Sequence, residues 1–235
     1  MEFTLLGQAF MGVGAVWVTV RVLDRNGALS ATVPKPWDVL LGATMVGLLV
    51  GRLWAMVAGG TNPLTTPLDI IFIRGGVDTI GATLGALGAV AWWTRSSPAA
   101  MLDALAVPAL AGLTGWHAGC LVTGSCAGTE TTLPWAIETA GGVGRHPVEL
   151  YAAIGFGLAA YALSRVRALP PGTVAGLALV AAAGVRAVTE PLRLHFGSGL
   201  LVPYLVGIGL GVIGLVVLPR LPDRRPVEEE PAEGE

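Results

Sequence analysis

Charge is scarce in this chain of 235 residues: Asp, Glu, Lys and Arg together make up 13% of it, against 53% for hydrophobic residues. A water-soluble domain carries about twice that charged fraction. The mean hydropathy is +0.69, and so little polar surface cannot coat a globule in water, so most of the outer surface must face lipid. The composition predicts an all-α, polytopic membrane helix bundle, and nothing in it indicates nucleic-acid binding.

Cysteine is also scarce, since the chain has only Cys120 and Cys126, too few for a disulfide scaffold. A continuous helix would not bring two residues at this spacing to one face, although Gly124 could break such a helix. We favour two small buried hydrophobic side chains over a disulfide or a reactive pair. A zinc site is not expected, because further ligands at motif spacing are missing, and the sequence predicts no other metal or cofactor.

Seven apolar segments predict membrane-spanning helices, since a bilayer core needs about 20 apolar residues per helix. The segments are residues 3–23, 38–58, 70–93, 101–122, 147–164, 172–190 and 199–219. The longest polar break, about 123–146, is a candidate functional loop. We expect one transmembrane bundle over residues 1–222, followed at 223–235 by a disordered cytoplasmic tail that is rich in Glu and Pro.

Basic residues set the expected orientation, because the cytoplasmic ends of membrane helices are rich in Lys and Arg. Glu2 precedes the first segment whereas Arg21 and Arg25 follow it, which argues against a cleavable signal peptide and puts the N-terminus outside. Seven crossings then put the C-terminus in the cytoplasm. Nine of the 14 basic residues then lie at the cytoplasmic ends of the predicted helices. The other five lie on the outer side: Arg52, Arg74, Arg145, Arg186 and Arg193.

The same topology gathers further polar side chains on the outer side of the membrane. Charge inside a bilayer is costly and usually functional, so polar groups from separate segments at one depth predict a polar cavity open to the outer leaflet. These groups are Asp78, His117, Ser125, His146, Glu149, Tyr151, Glu190 and His195.

Three charged residues recur at helical spacing in the sixth segment and just after it: Arg186, Glu190 and Arg193. Positions i, i+4 and i+7 lie within a narrow stripe on one helix face, so Glu190 can pair with either arginine. A salt-bridged stripe that neutralises itself is one interpretation. We favour a functional one, because two arginines on one glutamate leave a surplus positive charge in lipid. Arginine is well suited to bidentate phosphate binding.

The fifth helix opens with Arg145-His146-Pro147, and Glu149 and Tyr151 follow at once. Proline and glutamate both suit the first turn of a helix, and the positive end of the helix dipole can also receive an anion. An ordinary helix start with an interfacial tyrosine is an equally good account of this motif.

Two further motifs are weaker on their own. Arg74-Gly75-Gly76 precedes the third helix, where the glycines allow backbone to approach a ligand, although a tight turn with a snorkelling arginine is the simpler account. His117 stands at the end of the fourth helix and could serve as a base, a phosphate donor or a satisfied core histidine.

Taken in order, these pieces resemble the bacterial prolipoprotein diacylglyceryl transferase family. The resemblance runs from about residue 37 to residue 195 and includes the setting of seven helices. It is carried by Arg74-Gly75-Gly76, Gly119-Cys120 through Gly128, Leu133-Pro134-Trp135-Ala136, Arg145-His146-Pro147 with Leu150-Tyr151, and Arg186 with Glu190 and Arg193.

The resemblance implies an enzyme that moves a diacylglyceryl group from phosphatidylglycerol to the lipobox cysteine of a preprolipoprotein, at the outer face of the bacterial plasma (inner) membrane. In that reaction a cysteine thiolate attacks the glyceryl carbon and glycerol phosphate leaves. The site must therefore help to deprotonate a thiol and must stabilise a phosphate leaving group with fixed positive charge.

The resemblance also implies roles for individual residues. Arg186 and Arg74 would bind the lipid phosphate, and His117 would join them or act as base. The implied catalytic residues are His117, Arg186 and His146, and the implied substrate-binding residues are Arg74, Gly75, Gly76, Tyr151, Glu190, Arg193 and Arg145.

The chain departs from the family's pattern at four positions. His117 stands where the family has a catalytic arginine, and Ser125 stands at an acidic position. Ile80 stands at the position of a histidine, and Ala152 at that of a glutamate. Three alternatives therefore stay open: a paralogue that acts on another thiol or lipid, a non-catalytic lipid or anion transporter, or an inactive membrane partner. A transporter needs access from both faces, and the few ionisable groups on the cytoplasmic half of the helices argue against it.

Overall fold

The computed structural model describes residues 2–71, 76–139, 141–166, 168–194 and 201–221. Two short 3-10 turns are present: Glu190–Leu192 follows the helix that ends at Thr189, and Leu218–Arg220 follows the helix that ends at Val217. The helices are α1 (Glu2–Leu23), α2 (Ala28–Thr32), α3 (Pro36–Ala58), α4 (Leu68–Ile71), α5 (Thr79–Trp93), α6 (Pro98–Ala118), α7 (Cys120–Thr123), α8 (Val148–Arg165), α9 (Thr173–Thr189) and α10 (Val202–Val217). The strands are β1 (Ala127–Glu130), β2 (Ile137–Thr139) and β3 (Val143–Pro147).

Each of the seven apolar segments predicted from the sequence overlaps one long helix, namely α1, α3, α5, α6, α8, α9 and α10. Within the described residues, four helical stretches are long and apolar enough to cross a membrane: Pro36–Ala58, Pro98–Thr123, Thr173–Leu192 and Val202–Arg220. An all-α membrane bundle is therefore confirmed, with a small sheet added to it. By length and composition, these four stretches of the described chain qualify as spans, and the count of seven stays a prediction. The expected acidic tail lies outside the described residues.

The third predicted segment, 70–93, is not one helix, because α4 ends at Ile71 and α5 begins at Thr79. Just before α5, Gly76 adopts a left-handed conformation with a φ of 77°, which interrupts regular helix. The Asp78 carboxylate then accepts a hydrogen bond from the backbone N–H of Gly81 at 2.7 Å and so caps the first turn of α5. The helix start is thus set by a cap that the hydrophobic pattern does not reveal.

A buried arginine on α3 braces this connection. Arg52 donates through Nε and Nη2 to the carbonyl oxygen of Asp69, at 3.0 and 2.8 Å, and through Nη1 to that of Gly76 at 3.0 Å. Its guanidinium therefore satisfies backbone acceptors on both sides of the chain between α4 and α5. One of the five arginines expected on the outer side thus supports a backbone connection.

The central helix of the bundle is α6, which packs against α1, α8 and α9. One core cluster joins Leu110 of α6 to Phe156 of α8 and Ala178 of α9. A second cluster joins α6 to the start of the chain through Met101 and Val33. The remaining long helices pack in pairs, α3 with α5 and α9 with α10. A side chain near the end of α6 therefore lies where several helices meet.

Large apolar side chains cover the outside of this bundle, and α10 is the clearest case. Only 6% of the apolar window in Val202–Arg220 is buried inside the protein. Burial of such a surface in lipid satisfies the hydrophobic effect, whereas water would not. The exposed apolar faces therefore agree with the composition in indicating a membrane environment.

Arginine and aromatic side chains stack at one end of the bundle, at the C-terminal ends of α1, α5 and α8. In each pair the aromatic residue precedes the arginine by about one helical turn, and the guanidinium carbon lies over the ring. The pairs are Trp17 with Arg21, Trp92 with Arg95, and Tyr161 with Arg165, with distances from the guanidinium carbon to the ring centroid of 5.4, 4.3 and 5.0 Å.

The opposite end of the bundle carries a three-stranded antiparallel sheet in the order β1-β3-β2. It occupies the long polar break that the sequence marks as a candidate functional loop. Strand β3 runs directly into α8, and β1 lies against the turn that follows α9. At Gly128 a Cβ atom would collide with the carbonyl oxygen of Leu192, so glycine is required for this close approach. The sheet therefore joins the start of α8 to the end of α9.

Candidate active site

Four charged residues and one histidine form a continuous network at the sheet end of the bundle. Nδ1 of His117 lies 2.5 Å from Oε2 of Glu149, and Nη2 of Arg193 lies 2.9 Å from Oε1 of the same carboxylate. Nη1 of Arg193 lies 3.9 Å from Oε2 of Glu190, and Nη2 of Arg186 lies 3.2 Å from that same oxygen. Three helices and one turn thus contribute to a single polar cluster.

The network is largely shielded from outside. The side chains of His117, Glu149, Arg186 and Glu190 are between 10% and 16% exposed, whereas that of Arg193 is 34% exposed. Buried charges are tolerated only when they are paired and hydrogen-bonded, and each charge here has an opposite partner. The partial exposure of Arg193 leaves one side of the cluster open.

Helix ends position these side chains. His117 lies in the last turn of α6 and Arg186 in the last turn of α9, whereas Glu149 lies in the first turn of α8. The helix dipole stabilises a cation at a helix C-terminus, here Arg186, and an anion at a helix N-terminus, here Glu149. Local electrostatics and ion pairing therefore favour the same placement of charge.

The predicted stripe of Arg186, Glu190 and Arg193 on one helix face is interrupted, because α9 ends at Thr189. The α-helical hydrogen bonding of α9 stops at Thr189, and a 3-10 turn with Pro191 follows, so Arg193 lies in extended backbone. Proline lacks the N–H that an α-helix would need at this point. Glu190 nevertheless lies within ion-pair distance of both arginines, because the tighter turn returns Arg193 toward it.

The expected surplus of positive charge is wrong for the described network. Glu149 is a second carboxylate, so two glutamates face two arginines, and the cluster is neutral when His117 is neutral. Glu149 is predicted from the sequence to lie on the outer side, but it is not among the residues predicted for the site. Its signal is a carboxylate in the first turn of an otherwise apolar helix.

Tyr204 on α10 is a further partner that the sequence analysis does not select. Nη2 of Arg186 donates to its phenolic oxygen at 3.1 Å, and the Arg186 guanidinium carbon lies 5.4 Å from the centroid of its ring. Among the described residues, the other two guanidinium nitrogens of Arg186 have no hydrogen-bond partner. They are available to an anion.

A second polar cluster surrounds Tyr151 near the start of α8. Its hydroxyl accepts a hydrogen bond from Nε1 of Trp135 at 2.7 Å and lies 3.3 Å from Nδ1 of His146. The rings of His146 and Tyr151 meet edge to face, with centroids 6.0 Å apart. In the described contacts this cluster does not touch Arg186. Tyr151 lies two residues after Glu149 in the first turns of α8, but no described contact joins this cluster to the ionic network.

Other predicted residues lie apart from the network. Arg145 donates to the carbonyl oxygen of Gly128 at 3.2 Å and pairs with exposed Glu130 at 3.3 Å, so it braces the sheet. Gly76 lies in the connection before α5. Arg74, Gly75 and His195 lie outside the described residues.

Three positions that depart from the family's pattern have different surroundings. Ser125 is exposed and bonds to Thr123 at 2.7 Å and to Gln8 at 3.4 Å. Ile80 is 49% exposed, whereas Ala152 is fully buried in the core beside Phe156. None of these three side chains joins the ionic network in the described part of the protein.

Cys120 and Cys126 form a disulfide, so the expectation of two unlinked side chains is wrong. The chain reverses between them because Gly124 adopts a left-handed conformation with a φ of 67° at the end of α7. This turn brings the two Cα atoms to 4.9 Å. The disulfide links the chain just after His117 to the start of β1.

The amino-acid sequence of this chain is similar to those of known proteins. The family model for prolipoprotein diacylglyceryl transferase matches residues 6–219. The phosphatidylglycerol–prolipoprotein diacylglyceryl transferase of Pseudoalteromonas translucida is 30% identical over 231 residues, which cover 89% of this chain and 84% of the relative. The protein of that name in Wolbachia sp. subsp. Brugia malayi is 31% identical over 173 residues. That match covers 67% of this chain and 65% of the Wolbachia protein, just under two thirds of its length.

Proposed function

This chain belongs to the prolipoprotein diacylglyceryl transferase family, and we propose that it transfers a diacylglyceryl group from phosphatidylglycerol to a cysteine of a prolipoprotein. The names of its relatives supply the reaction. The observation that carries the proposal is Arg186, a shielded arginine in an apolar bundle with guanidinium nitrogens left over for a phosphate. The acceptor is the thiol of a lipobox peptide.

The reaction divides into two physical tasks. A thiol must lose its proton, because the thiolate is the nucleophile. The phosphate that leaves from the glyceryl carbon must also be met by fixed positive charge, which stabilises the transition state most strongly where water is excluded. Both tasks need polar groups inside an apolar region, where charge is costly without a function.

Arg186 is assigned to the phosphate. Its Nη2 atom is held by Glu190 and Tyr204 at 3.2 and 3.1 Å, which fixes the plane of the guanidinium. In the described chain the N–H groups of Nε and Nη1 are left to donate to phosphate oxygens from two sides of the guanidinium. Glu190 is thus a positioning residue, and Arg193 adds a second cation at the open side of the network.

The cluster of Trp135, His146 and Tyr151 is assigned to the lipid head group. Its donors and acceptors lie at the sheet end of the bundle, where Trp135 is exposed and His146 and Tyr151 are half-buried, as suits a glycerol moiety that carries hydroxyls. Arg74 with Gly75 and Gly76 is retained as a further candidate for contact with the lipid. Arg145 is assigned a supporting role through its bonds to the sheet.

We further propose seven crossings of a bacterial inner membrane, with the N-terminus outside and the C-terminus in the cytoplasm. Disulfides persist in oxidising compartments, and the Cys120–Cys126 bond lies at the same end as the ionic network. The stacked arginines lie at the other end, as expected of cytoplasmic helix ends with aromatic residues at the interface. Two independent features thus support one orientation.

Cysteine labelling tests the orientation. Glu138 lies on the sheet and Ser96 at the opposite end, and both are exposed. In intact cells, a membrane-impermeant maleimide should label Glu138→Cys at once and Ser96→Cys only after permeabilisation. The native cysteines are disulfide-bonded and do not react with maleimide. Labelling of Ser96→Cys in intact cells would contradict the orientation but not the reaction.

The reaction is tested with purified protein, phosphatidylglycerol vesicles and a lipobox peptide. Mass spectrometry should detect a peptide that has gained one diacylglyceryl group, and no product should form from a peptide with serine in place of the cysteine. Arg186→Gln should lower the rate by about 10²-fold or more, the loss seen when one fixed donor to a developing anion is removed. Arg165→Gln, which changes an exposed arginine at the far end of α8, is the matched control. Absence of product from the unmodified protein beside an active relative would defeat the proposal.

A further inference from the structure

His117 and Glu149 form a dyad that the transfer reaction can use in a specific way. Resting on the proposed function, we propose that Nε2 of His117 takes the proton from the acceptor thiol and that Glu149 is the positioning residue that prepares it. The sequence leaves the role of His117 open between base, phosphate donor and core residue. The contacts of its two ring nitrogens decide between these roles.

The contact of Nδ1 sets the tautomer. Oε2 of Glu149 lies 2.5 Å from Nδ1 of His117, and an ionised carboxylate can only accept a hydrogen bond. Nδ1 therefore carries the proton, and the lone pair of the neutral imidazole is on Nε2. A histidine in this tautomer accepts a proton at Nε2, whereas a phosphate donor would need an N–H there.

Nε2 is free to meet a substrate. It has no hydrogen-bond partner among the described residues. In the same part of the chain no fully buried side-chain nitrogen or oxygen lacks a partner, so Nε2 is not sealed inside the bundle. The side chain is 10% exposed, and the ring of Phe156 lies against it with centroids 5.1 Å apart. His117 is therefore fixed in place with one nitrogen accessible.

Glu149 is itself held in position. Its second oxygen, Oε1, accepts from Nη2 of Arg193 at 2.9 Å, so each carboxylate oxygen has its own partner. This arrangement orients the carboxylate toward His117 and keeps a negative charge beside the ring. When the ring gains a proton, that charge stabilises the imidazolium. The other described histidine, His146, has the hydroxyl of Tyr151 as its partner and lacks such support.

The step balances in atoms and electrons. Nε2 of His117 accepts the proton from the sulfur of the acceptor cysteine. The thiolate electron pair forms a C–S bond to the glyceryl carbon, and the C–O bond to the phosphate breaks. Its electron pair leaves on the phosphate oxygen beside Arg186. That oxygen, in the released glycerol phosphate, then takes the proton from Nε2, which restores the neutral histidine.

The test compares two acceptor peptides that differ in one atom. A cysteine thiol has a pKa of about 8.5 in a free peptide, so it needs a base at neutral pH, whereas the selenol of a selenocysteine peptide is already ionised there. Removal of a general base costs about 10²-fold or more. His117→Gln should therefore lose about that factor with the cysteine peptide and only a small part of it with the selenocysteine peptide. The deficit should also close at alkaline pH, where water ionises the thiol.

Companion variants distinguish a base at position 117 from a phosphate donor or a core residue. Glu149→Gln should show the same selective loss in smaller measure, because its amide can still contact Nδ1 but lacks the charge. His146→Gln makes the matched change at the other histidine and should leave the ratio of the two peptides' rates at the value of the unmodified protein. His117→Arg introduces a cation without a base, so it should resemble His117→Gln. Higher activity in His117→Arg than in the unmodified protein would assign His117 to the phosphate and overturn the proposal.

The pH profile depends on every titratable group around His117. The described α1 residues packed against the end of α6, namely Gln8, Met11 and Ala15, are uncharged. Among the described residues, the titratable groups that the network links to His117 are Glu149, Arg193, Glu190, Arg186 and Tyr204. A profile that keeps its shape in His117→Gln, or an equal loss with both peptides, would overturn the proposal. Should that variant not fold, Glu149→Gln decides by the same ratio. Inactivity of the unmodified protein with both peptides would instead defeat the proposed function.

Discussion

Nη2 of Arg193 lies 2.9 Å from Oε1 of Glu149, so a residue that follows the last turn of α9 is tied to the first turn of α8. This ion pair connects the half of the network proposed to bind phosphate, Arg186 with Glu190, to the half proposed to accept the proton, His117 with Glu149. Arg193 is within ion-pair distance of both glutamates, Glu149 at 2.9 Å and Glu190 at 3.9 Å. The site is therefore one charge-balanced unit built on three helices.

The first prediction concerns this ion pair. Arg193→Gln should lower both the transfer rate and the unfolding temperature, because it leaves Glu149 with a buried charge and no guanidinium partner, a situation that costs far more than the loss of an exposed pair. We expect a rate loss of about 10-fold, since the change acts through positioning and not through direct contact with the leaving group. Rates with phosphatidylglycerol vesicles and thermal unfolding in detergent measure the two effects.

Arg145→Gln is the matched comparison for stability. It breaks the pair with Glu130, whose side chain is 70% exposed, and the hydrogen bond to the carbonyl oxygen of Gly128. A surface pair contributes only about 0–1 kcal/mol and a single hydrogen bond about 1 kcal/mol, so Arg145→Gln should shift the unfolding temperature less than Arg193→Gln. Equal shifts of the unfolding temperature in Arg193→Gln and Arg145→Gln would mean that the connection between the two halves is not important for stability.

The second prediction concerns the head-group cluster. Tyr151→Phe removes the hydroxyl that accepts from Trp135 and contacts His146, so it should raise the KM for phosphatidylglycerol several-fold and leave kcat much less affected. Tyr161→Phe makes the same change at the far end of α8, at an exposed residue. A fall in kcat with an unchanged KM in Tyr151→Phe would instead place this hydroxyl at the reacting atoms.

Much of the bundle could be predicted from the sequence because its strongest signal is hydrophobic length. All seven apolar segments overlap a long helix, and α1, α3, α8 and α9 begin and end within two residues of their predicted limits. The boundary of α5 could not be predicted in this way, because it depends on the Asp78 cap and on the left-handed Gly76. Such local geometry leaves almost no trace in a hydrophobic pattern.

The contacts of the site also fall into two groups, those that spacing along the sequence predicts and those that it does not. The pairing of Glu190 with Arg186 follows from spacing along one helix, and spacing is visible in a sequence. The pairing of Glu149 with His117 joins two helices across 32 positions of the chain, and no local pattern encodes it. The Cys120–Cys126 disulfide likewise depends on a reversal at Gly124. Contacts made by tertiary packing were therefore the ones missed.

The third prediction concerns a carboxylate far from the site. Asp103 on α6 accepts hydrogen bonds from the backbone N–H groups of Gly172 and Ala175, both at 2.7 Å, and so caps the start of α9. Asp103→Ala should cost about 1–2 kcal/mol and lower the unfolding temperature, with the rate per folded molecule largely kept. Asp38→Ala removes an exposed carboxylate from the first turn of α3 and should have a smaller effect. A large rate loss at full stability in Asp103→Ala would contradict this purely structural role.

The last prediction concerns the disulfide, which closes a short loop between α7 and β1. Closing a loop of this length lowers the entropy of the unfolded chain by an amount worth about 2 kcal/mol. The double variant Cys120→Ala with Cys126→Ala should therefore unfold at a lower temperature, and reductant should shift the unmodified protein to the same temperature but leave the variant unchanged. The transfer rate should also fall, because His117 is tied through this loop to the strand that packs beside the end of α9. Intact mass after alkylation in denaturant checks the bond itself: two added groups should appear only after reduction. Alkylation without reduction, or a reductant effect that persists in the double variant, would show that the bond does not hold this part of the site.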